Sequence, residues 1–209
     1  MSLTGTASAL AGSAKKARLA EMAGERIVAL AREGVTSRKI VTRKSLENAI
    51  RLDLALGGST NTTLHIPAIA HAAEVDITLA DFDRLSRETP QLASMDPGGQ
   101  YTMEDLEWAG GIPAMLKNLE TLLHKDCVTV SGRTLGEITT ATPTGDPNVI
   151  HPLANPIAKE GGIAVLKGTL APDGAVVKQG AIVPAMFQFT GTARVFENED
   201  AAMAYLRAG

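Results

Sequence analysis

The chain has 209 residues, of which 44% are hydrophobic, 21% charged and 3% aromatic, and its formal net charge is −3. These values fit one large or two small globular domains with an aliphatic, alanine-rich core, and they argue against a nucleic-acid or anionic-membrane partner. The single cysteine, Cys127, cannot form an internal disulfide or hold a zinc or iron–sulfur site alone. With no apolar run of membrane-spanning length and no leader pattern, we expect a cytoplasmic protein.

The first 125 residues carry apolar side chains at the three- and four-residue spacing of helices. The predicted helices cover residues 10–34, 43–56, 59–73, 78–88, 103–109 and 112–123. Their expected N-caps include Thr42, Thr78 and Thr102. Gly57-Gly58 should end the second helix, and Ser59 or Thr60 should cap the third, which Pro67 should kink or restart. Ile40 and Val41 could form a short extended piece.

The pattern changes at Cys127, where short β-branched runs separated by Gly and Pro predict strands. These runs are "CVTVSG", "GGIAVLKGTLAP", "GAVVKQGAIV" and "FTGTARVF". Asp173-Gly174 lies between two apolar runs and predicts a hairpin. Residues 139–160 should form a long connection, and a last helix should be capped near Asn198. We therefore predict a mixed α/β fold with a mainly helical part, residues 1–125, and a β-rich part, residues 126–209.

The stretch "LALGGSTNTT" contains the best candidate for a ligand site. Two glycines would let a ligand approach the backbone, and N–H groups at a helix start attract carboxylates and phosphates. The candidate anion-binding residues are Gly58, Ser59, Thr60 and Asn61. The alternative is a helix C-cap followed by an N-cap, which needs the same residue types. A phosphate-binding P-loop is excluded because its Lys-Ser/Thr pair is missing.

The remaining chemistry-bearing residues fit structural roles. His65 and His71 are six residues apart, which is not the spacing of a helical zinc pair. We therefore expect both side chains to serve in packing or hydrogen bonding. His65 is kept as a weak site candidate. Nothing marks His124 or His151 as a base. Carboxylates near helix starts fit capping: Asp81, Asp83, Glu104, Asp105 and Glu197–Asp200. Cys127 should be a small buried residue. No catalytic residue and no metal ligand is assigned in this chain.

Several stretches, taken in order, resemble the dihydroxy-acid dehydratase family, which includes phosphogluconate dehydratase and other sugar-acid dehydratases. They are "LDLALGGSTNTTLHIPAIAHAAEVDITLADFDRLSRETPQLA", "YTMEDLEWAGGIPAMLKNL", "DCVTVSGRTLGE", "VIHPLANPIAKEGGIAVLKGTLAPDGAVVK" and "GTARVFENEDAAMAYL". The resemblance runs from about Thr4 to the end of the chain. It implies removal of water from a 2,3-dihydroxy acid to give a 2-keto acid, with an iron–sulfur cluster as Lewis acid and a magnesium ion holding the substrate.

The resemblance also implies an architecture. Residues 1–125 would be the last part of an α/β N-terminal domain, and residues 126–209 the first part of a swivelling, β-barrel-like domain, with the active site between them. The family's cluster cysteines, magnesium ligands and proton acceptor find no match in this chain and would lie beyond its two ends. Cys127, in "DCVTVSG", matches a position that is not a cluster ligand.

We therefore expect an internal segment of a dehydratase of branched-chain amino-acid synthesis. Alone, it should hold neither cluster nor magnesium and be inactive. Because a cut through two domains exposes apolar surface, we also expect it to form a homo-oligomer. Two alternatives stay open: a segment of a sugar-acid dehydratase, and a non-enzymatic anion-binding or scaffold domain pair.

Overall fold

Nine helices and a two-stranded sheet are present in the computed structural model, which describes residues 2–208. The helices are α1 Ala14–Arg32, α2 Ser37–Ile40, α3 Arg43–Ala55, α4 Thr62–Ala72, α5 Leu79–Glu88, α6 Met103–Trp108, α7 Gly111–Asn118, α8 Leu135–Thr140 and α9 Glu199–Ala208. The strands are β1 Ile163–Leu166 and β2 Ala175–Lys178. The fold is therefore mixed and mostly helical, as predicted. No helix in this part of the chain combines the length and apolarity needed to cross a membrane.

Threonine N-caps begin many of these helices. Thr42, Thr78 and Thr102 precede α3, α5 and α6, which confirms the three predicted caps. In α6, the Thr102 hydroxyl accepts from the N–H of Asp105 at 3.2 Å, and the Asp105 carboxylate accepts from the N–H of Thr102 at 2.7 Å. This reciprocal arrangement satisfies free donors of the first turn and places a negative charge at the positive end of the helix.

Other helix boundaries differ from the prediction. The piece around Ile40 is a short helix, and only Val41 is extended. Helix α4 begins at Thr62, because Ser59 and Thr60 form a turn before it. It then continues past Pro67 without the expected restart, since a proline removes only one helical donor. Helix α7 ends at Asn118, and the residues that follow form turns.

The β-rich part forms fewer strands than predicted. The hairpin across Asp173-Gly174 is confirmed: β1 and β2 are antiparallel, with Ile163 opposite Lys178. In contrast, "CVTVSG" makes only one bridge, between Val128 and Thr134, and "FTGTARVF" has no strand in the described residues. Residues 135–140 are instead helix α8, which was not predicted although Thr134 and Glu137 form a capping box. A β-branched run becomes a strand only where a partner edge is available. The division at residues 125–126 stays a prediction.

Two aliphatic clusters form the core. The first contains α6 and α7 together with Leu92 and Ile150. The second joins α3, α4 and α5 to the hairpin, and includes Leu54, Phe82 and Ile163, each at most 1% exposed. Phe82 is the only aromatic residue among the core residues of the described chain, in line with the scarcity of aromatics in the sequence. The second cluster thus holds the β hairpin against the helices that flank the Gly57–Asn61 loop.

Candidate functional site

The Gly57–Asn61 loop connects α3 to α4, and its two glycines end α3. The N–H of Gly58 donates to the carbonyl of Asp53 at 2.9 Å, and the N–H of Gly57 donates to the carbonyl of Leu54 at 3.3 Å. Both glycines are in the left-handed region, with φ of 99° and 77°. This is the Schellman arrangement, in which glycine closes a helix without steric cost. The glycine pair therefore forms a helix C-cap, as the alternative to a ligand site predicts.

The same two glycines lie against a second glycine pair, Gly161-Gly162, which precedes β1. A Cβ added to Gly162 would lie 2.0 Å from the carbonyl oxygen of Gly57, and one added to Gly58 would lie 2.5 Å from Cγ1 of Ile163. The N–H of Gly162 also donates to the carbonyl of Leu54 at 3.0 Å. The close backbone approach that the glycines permit is thus made to the hairpin of the same chain. A ligand that binds the loop must contact its other side.

The side chain of Asp53 holds the loop from the last turn of α3. Its Oδ1 accepts from the N–H of Ser59 at 3.0 Å, and its Oδ2 accepts from the hydroxyl of Thr62 at 2.9 Å. Burial raises the pKa of Asp53, against the lowering effect of these hydrogen bonds and of the positive charge of Lys178. The sequence pattern predicts only that Asp53 lies in the helix over residues 43–56. The available signal was an acid in the last turn of a helix, where the dipole disfavours negative charge.

Lys178, at the end of β2, brings a cation to the loop from the hairpin. It is half-buried, and its charge acts on the Asp53 carboxylate. The next residue, Gln179, ties the same end of the hairpin to the glycine contact: its N–H donates to the carbonyl of Gly162 at 2.8 Å, and its side-chain amide donates to the carbonyl of Gly161 at 3.0 Å. Lys178 lies 125 positions after Asp53, so no local sequence pattern connects it with the loop.

Three of the predicted binding residues remain accessible. Ser59, Thr60 and Asn61 are exposed, whereas Gly58 is half-buried against the hairpin. The side chain of Asn61 makes no capping hydrogen bond to α4. The segment that precedes α4 therefore has exposed hydroxyl and amide groups beside the positive end of this helix, and these groups can donate hydrogen bonds to a carboxylate or phosphate. Gly58 contributes backbone geometry, since its N–H is used in ending α3.

Of the four histidines, His65 is nearest to the loop: it lies in the first turn of α4, where its backbone N–H donates to the carbonyl of Asn61 at 3.0 Å. His65 and His71 are exposed on α4, so the packing role expected for them is wrong. His124 contacts Glu47 through Nε2 and Oε2 at 2.8 Å, in an ion-pair cluster that includes Arg84. Nδ1 of His151 lies 3.1 Å from the carbonyl of Asn155. The side-chain contacts of His124 and His151 do not involve the loop.

Cys127 is half-buried, and burial together with the charge of Asp126 raises the pKa of its thiol. A raised pKa disfavours the thiolate that nucleophilic or metal chemistry needs. Among residues 2–208, no three His, Cys, Asp or Glu side chains lie close enough together to hold a metal ion. The described residues therefore do not provide a ligand set that fits the iron–sulfur cluster or the magnesium ion implied by the family.

An apolar cleft of about 510 Å³ lies beside the loop. Its walls come from α3, α4, α7 and the segment around Cys127, and include Leu46, Ile66 and Leu116. Asp53 lines this cleft too, so the acid that holds the loop also contacts a mostly apolar space. This environment explains why burial is the main cause of the raised pKa of Asp53.

Comparisons with known proteins agree with the resemblance. A family model described as dihydroxy-acid/6-phosphogluconate dehydratase N-terminal matches residues 1–138, and the corresponding C-terminal model matches residues 148–209. The chain is 54% identical over 209 residues to a dihydroxy-acid dehydratase of Citrifermentans bemidjiense and 55% identical to one of Geobacter metallireducens. It is 52% identical to dihydroxy-acid dehydratase 1 of Methanosarcina acetivorans. Each alignment covers all of this chain and 38% of the relative.

The chain therefore belongs to the dihydroxy-acid/6-phosphogluconate dehydratase family. The Gly57–Asn61 loop lies in the region that matches the N-terminal family model. The hairpin that contacts this loop lies in the region that matches the C-terminal model. The glycine contact is thus a contact between the N-terminal and C-terminal parts of the family's sequence.

The glycine contact predicts a position-specific effect of alanine substitution. Gly162→Ala places a methyl group against the backbone of Gly57, which cannot move away as a flexible side chain could. We expect the free energy of unfolding to fall by about 1–3 kcal/mol, as for overpacking in a core. Gly168→Ala, in the same hairpin but with no atom within 4 Å of its added Cβ, should change it by less than about 0.5 kcal/mol. Urea unfolding of both variants measures this, and equal effects would contradict the contact.

Proposed function

We propose that this chain is part of a hydro-lyase that removes water from a 2,3-dihydroxy acid. The hydroxyl leaves from C3 and the proton from C2, and the resulting enol becomes a 2-keto acid. The observation that carries the proposal is the 52–55% identity, over the whole chain, to relatives named dihydroxy-acid dehydratase. The branched-chain precursor acids are the proposed substrates, in branched-chain amino-acid synthesis.

The proposed contribution of this chain is to bind the substrate carboxylate. Ser59, Thr60 and Asn61 offer accessible donors at the positive end of α4, and Lys178 adds a nearby positive charge. Hydrogen bonds to an ionised carboxylate are stronger than those between neutral groups. The substrate and the product both carry this carboxylate, so the loop would bind the two alike and orient the carbons that react.

The cluster and the magnesium ion would supply Lewis-acid chemistry for the leaving hydroxyl in the complete enzyme. We propose that their ligands come from parts of the enzyme outside these 209 residues, because the chain spans only 38% of the length of its relatives. The chain by itself is then expected to bind no cluster and to have no dehydratase activity.

A sugar acid is the second candidate substrate, because the family description also names 6-phosphogluconate dehydratase. The relatives given above are named for the dihydroxy acid, which favours the first candidate. The third interpretation, a non-enzymatic anion-binding or scaffold pair of domains, predicts no catalysis in any context. One experiment separates the three.

The experiment is a chimera in which this chain replaces the matching 209 residues of the Citrifermentans bemidjiense enzyme. We expect it to dehydrate dihydroxyisovalerate with a kcat within about tenfold of the parent. Ser59→Ala should raise KM about 2- to 10-fold, which corresponds to the loss of one hydrogen bond of about 0.5–1.5 kcal/mol. Ser37→Ala, an exposed serine outside the loop, is the matched control and should leave KM unchanged.

The other outcomes decide against the proposal. Turnover of a gluconate-type acid in preference to dihydroxyisovalerate would assign the sugar-acid substrate. A folded chimera without either activity would favour the non-enzymatic interpretation. If Ser59→Ala has the KM of the wild type but a lowered melting temperature, the loop has only a helix-capping role.

We also propose that the separate chain associates with copies of itself. Five large apolar side chains in the last 30 residues of the described chain are 58–87% exposed: Val183, Phe187, Phe189, Val195 and Leu206. Exposed apolar groups at this density favour association. Light scattering at about 10 µM should give a dimer or larger species. Phe187→Ser combined with Phe189→Ser should shift it toward the monomer. A monomeric wild-type chain would contradict this.

A further inference from the structure

We propose that Asp53 is a positioning residue, which fixes the Ser59–Thr62 segment so that its donors can meet a carboxylate. This inference rests on the proposed binding role of the loop. Asp53 does not itself contact the ligand in this account, because a second negative charge would oppose an anion at close range. It acts through the two residues that its carboxylate holds.

The geometry joins both ends of the segment to one side chain. Oδ1 accepts from the N–H of Ser59 at 3.0 Å, and Oδ2 accepts from the Thr62 hydroxyl at 2.9 Å. Thr60 and Asn61 lie between these two anchors and are exposed. The hydroxyl of Thr62 also lies 2.6 Å from the carbonyl of Ser59, so the segment closes on itself. One carboxylate thus limits the movement of four consecutive residues.

The location of Asp53 is unfavourable for an acid, so the two hydrogen bonds that its side chain accepts are the feature that needs a role. Asp53 lies in the last turn of α3, where the helix dipole disfavours an acid, and it lines an apolar cleft. An apolar side chain at this position would suit both surroundings better. The compensating groups are the Ser59 N–H, the Thr62 hydroxyl and the charge of Lys178. All three belong to the loop, the start of α4 or the end of the hairpin.

The first test uses the 209-residue chain and does not depend on activity. Asp53→Ala removes both anchors, so backbone hydrogen exchange in peptides covering residues 59–62 should be at least tenfold faster than in the wild type. Asp53→Asn keeps the size and can keep both contacts, because its amide can accept from Ser59 and donate to the Thr62 hydroxyl. Exchange in Asp53→Asn should stay within about threefold of wild type. Equal exchange in wild type and Asp53→Ala would overturn the anchoring.

The second test is kinetic and uses the chimera described above. Asp53→Ala should raise KM by about 5- to 30-fold with kcat within threefold, and Asp53→Asn should restore KM to within about threefold. Asp83→Ala, which breaks an exposed pair with Arg87 on α5, is the matched control and should leave both constants unchanged. If Asp53→Ala does not fold, Thr62→Val removes one anchor alone and should raise KM about 2- to 10-fold, with Thr62→Ser as its rescue.

The results separate the two proposals. If Ser59→Ala raises KM and neither Asp53→Ala nor Thr62→Val does, the positioning role is wrong and the binding role stands. If Ser59→Ala and Asn61→Ala both leave KM unchanged, the binding role of the loop is wrong, whatever the exchange data show. An Asp53→Asn variant as impaired as Asp53→Ala would also overturn the proposal, because the bridge and not the charge is the proposed cause.

Discussion

The contact between the two glycine pairs determines how the rest of the candidate site is arranged. Gly57-Gly58 ends α3 while lying against Gly161-Gly162, with a separation that no side chain could occupy. The N–H groups of Gly58 and Gly162 donate to carbonyls of neighbouring α3 residues, Asp53 and Leu54. Two segments about 100 residues apart in the chain therefore share the C-terminal end of one helix. The direction of the loop and the placement of the hairpin follow from the same contact.

Packing against the hairpin then determines which side of the loop is accessible to a ligand. One side faces the hairpin, and the Asp53 carboxylate holds the N–H of Ser59 and the hydroxyl of Thr62. The hydrogen bonds from Ser59 and Thr62 and the charge of Lys178 offset part of the cost of burying this acid. Ser59, Thr60 and Asn61 remain exposed on the other side. One side of this short polar loop is thus structural and the other is accessible. The loop is therefore compatible with both roles that its sequence suggested, helix capping and anion binding.

Local signals in the sequence predicted local structure well. The threonine caps of α3, α5 and α6 are confirmed because a cap depends on residues three positions apart. The same signal at Thr134 would have identified α8. The hairpin was also predictable, since Asp173-Gly174 is a short-range turn signal. Strands such as "FTGTARVF" were not, because β-branched residues suit a strand without specifying its partner.

The candidate site was predicted only in part, because local sequence signals do not specify which distant segments come into contact. The sequence identified Gly58–Asn61, but it could not indicate that the close approach at the glycines is made by Gly162. Asp53 and Lys178 were missed because their relation to the loop arises from tertiary contacts. The resemblance to the dehydratase family was specific because many motifs occur in order, and the two family models agree with it.

Native-state hydrogen exchange of the 209-residue chain tests the central contact most directly. Protected amides on either side of a shared contact open together. We expect peptides covering residues 57–63 and 161–166 to exchange at similar rates, close to those of α3 and far slower than residues 188–196. If residues 161–166 exchanged as fast as residues 188–196 while α3 stayed protected, the glycine contact would not hold the loop.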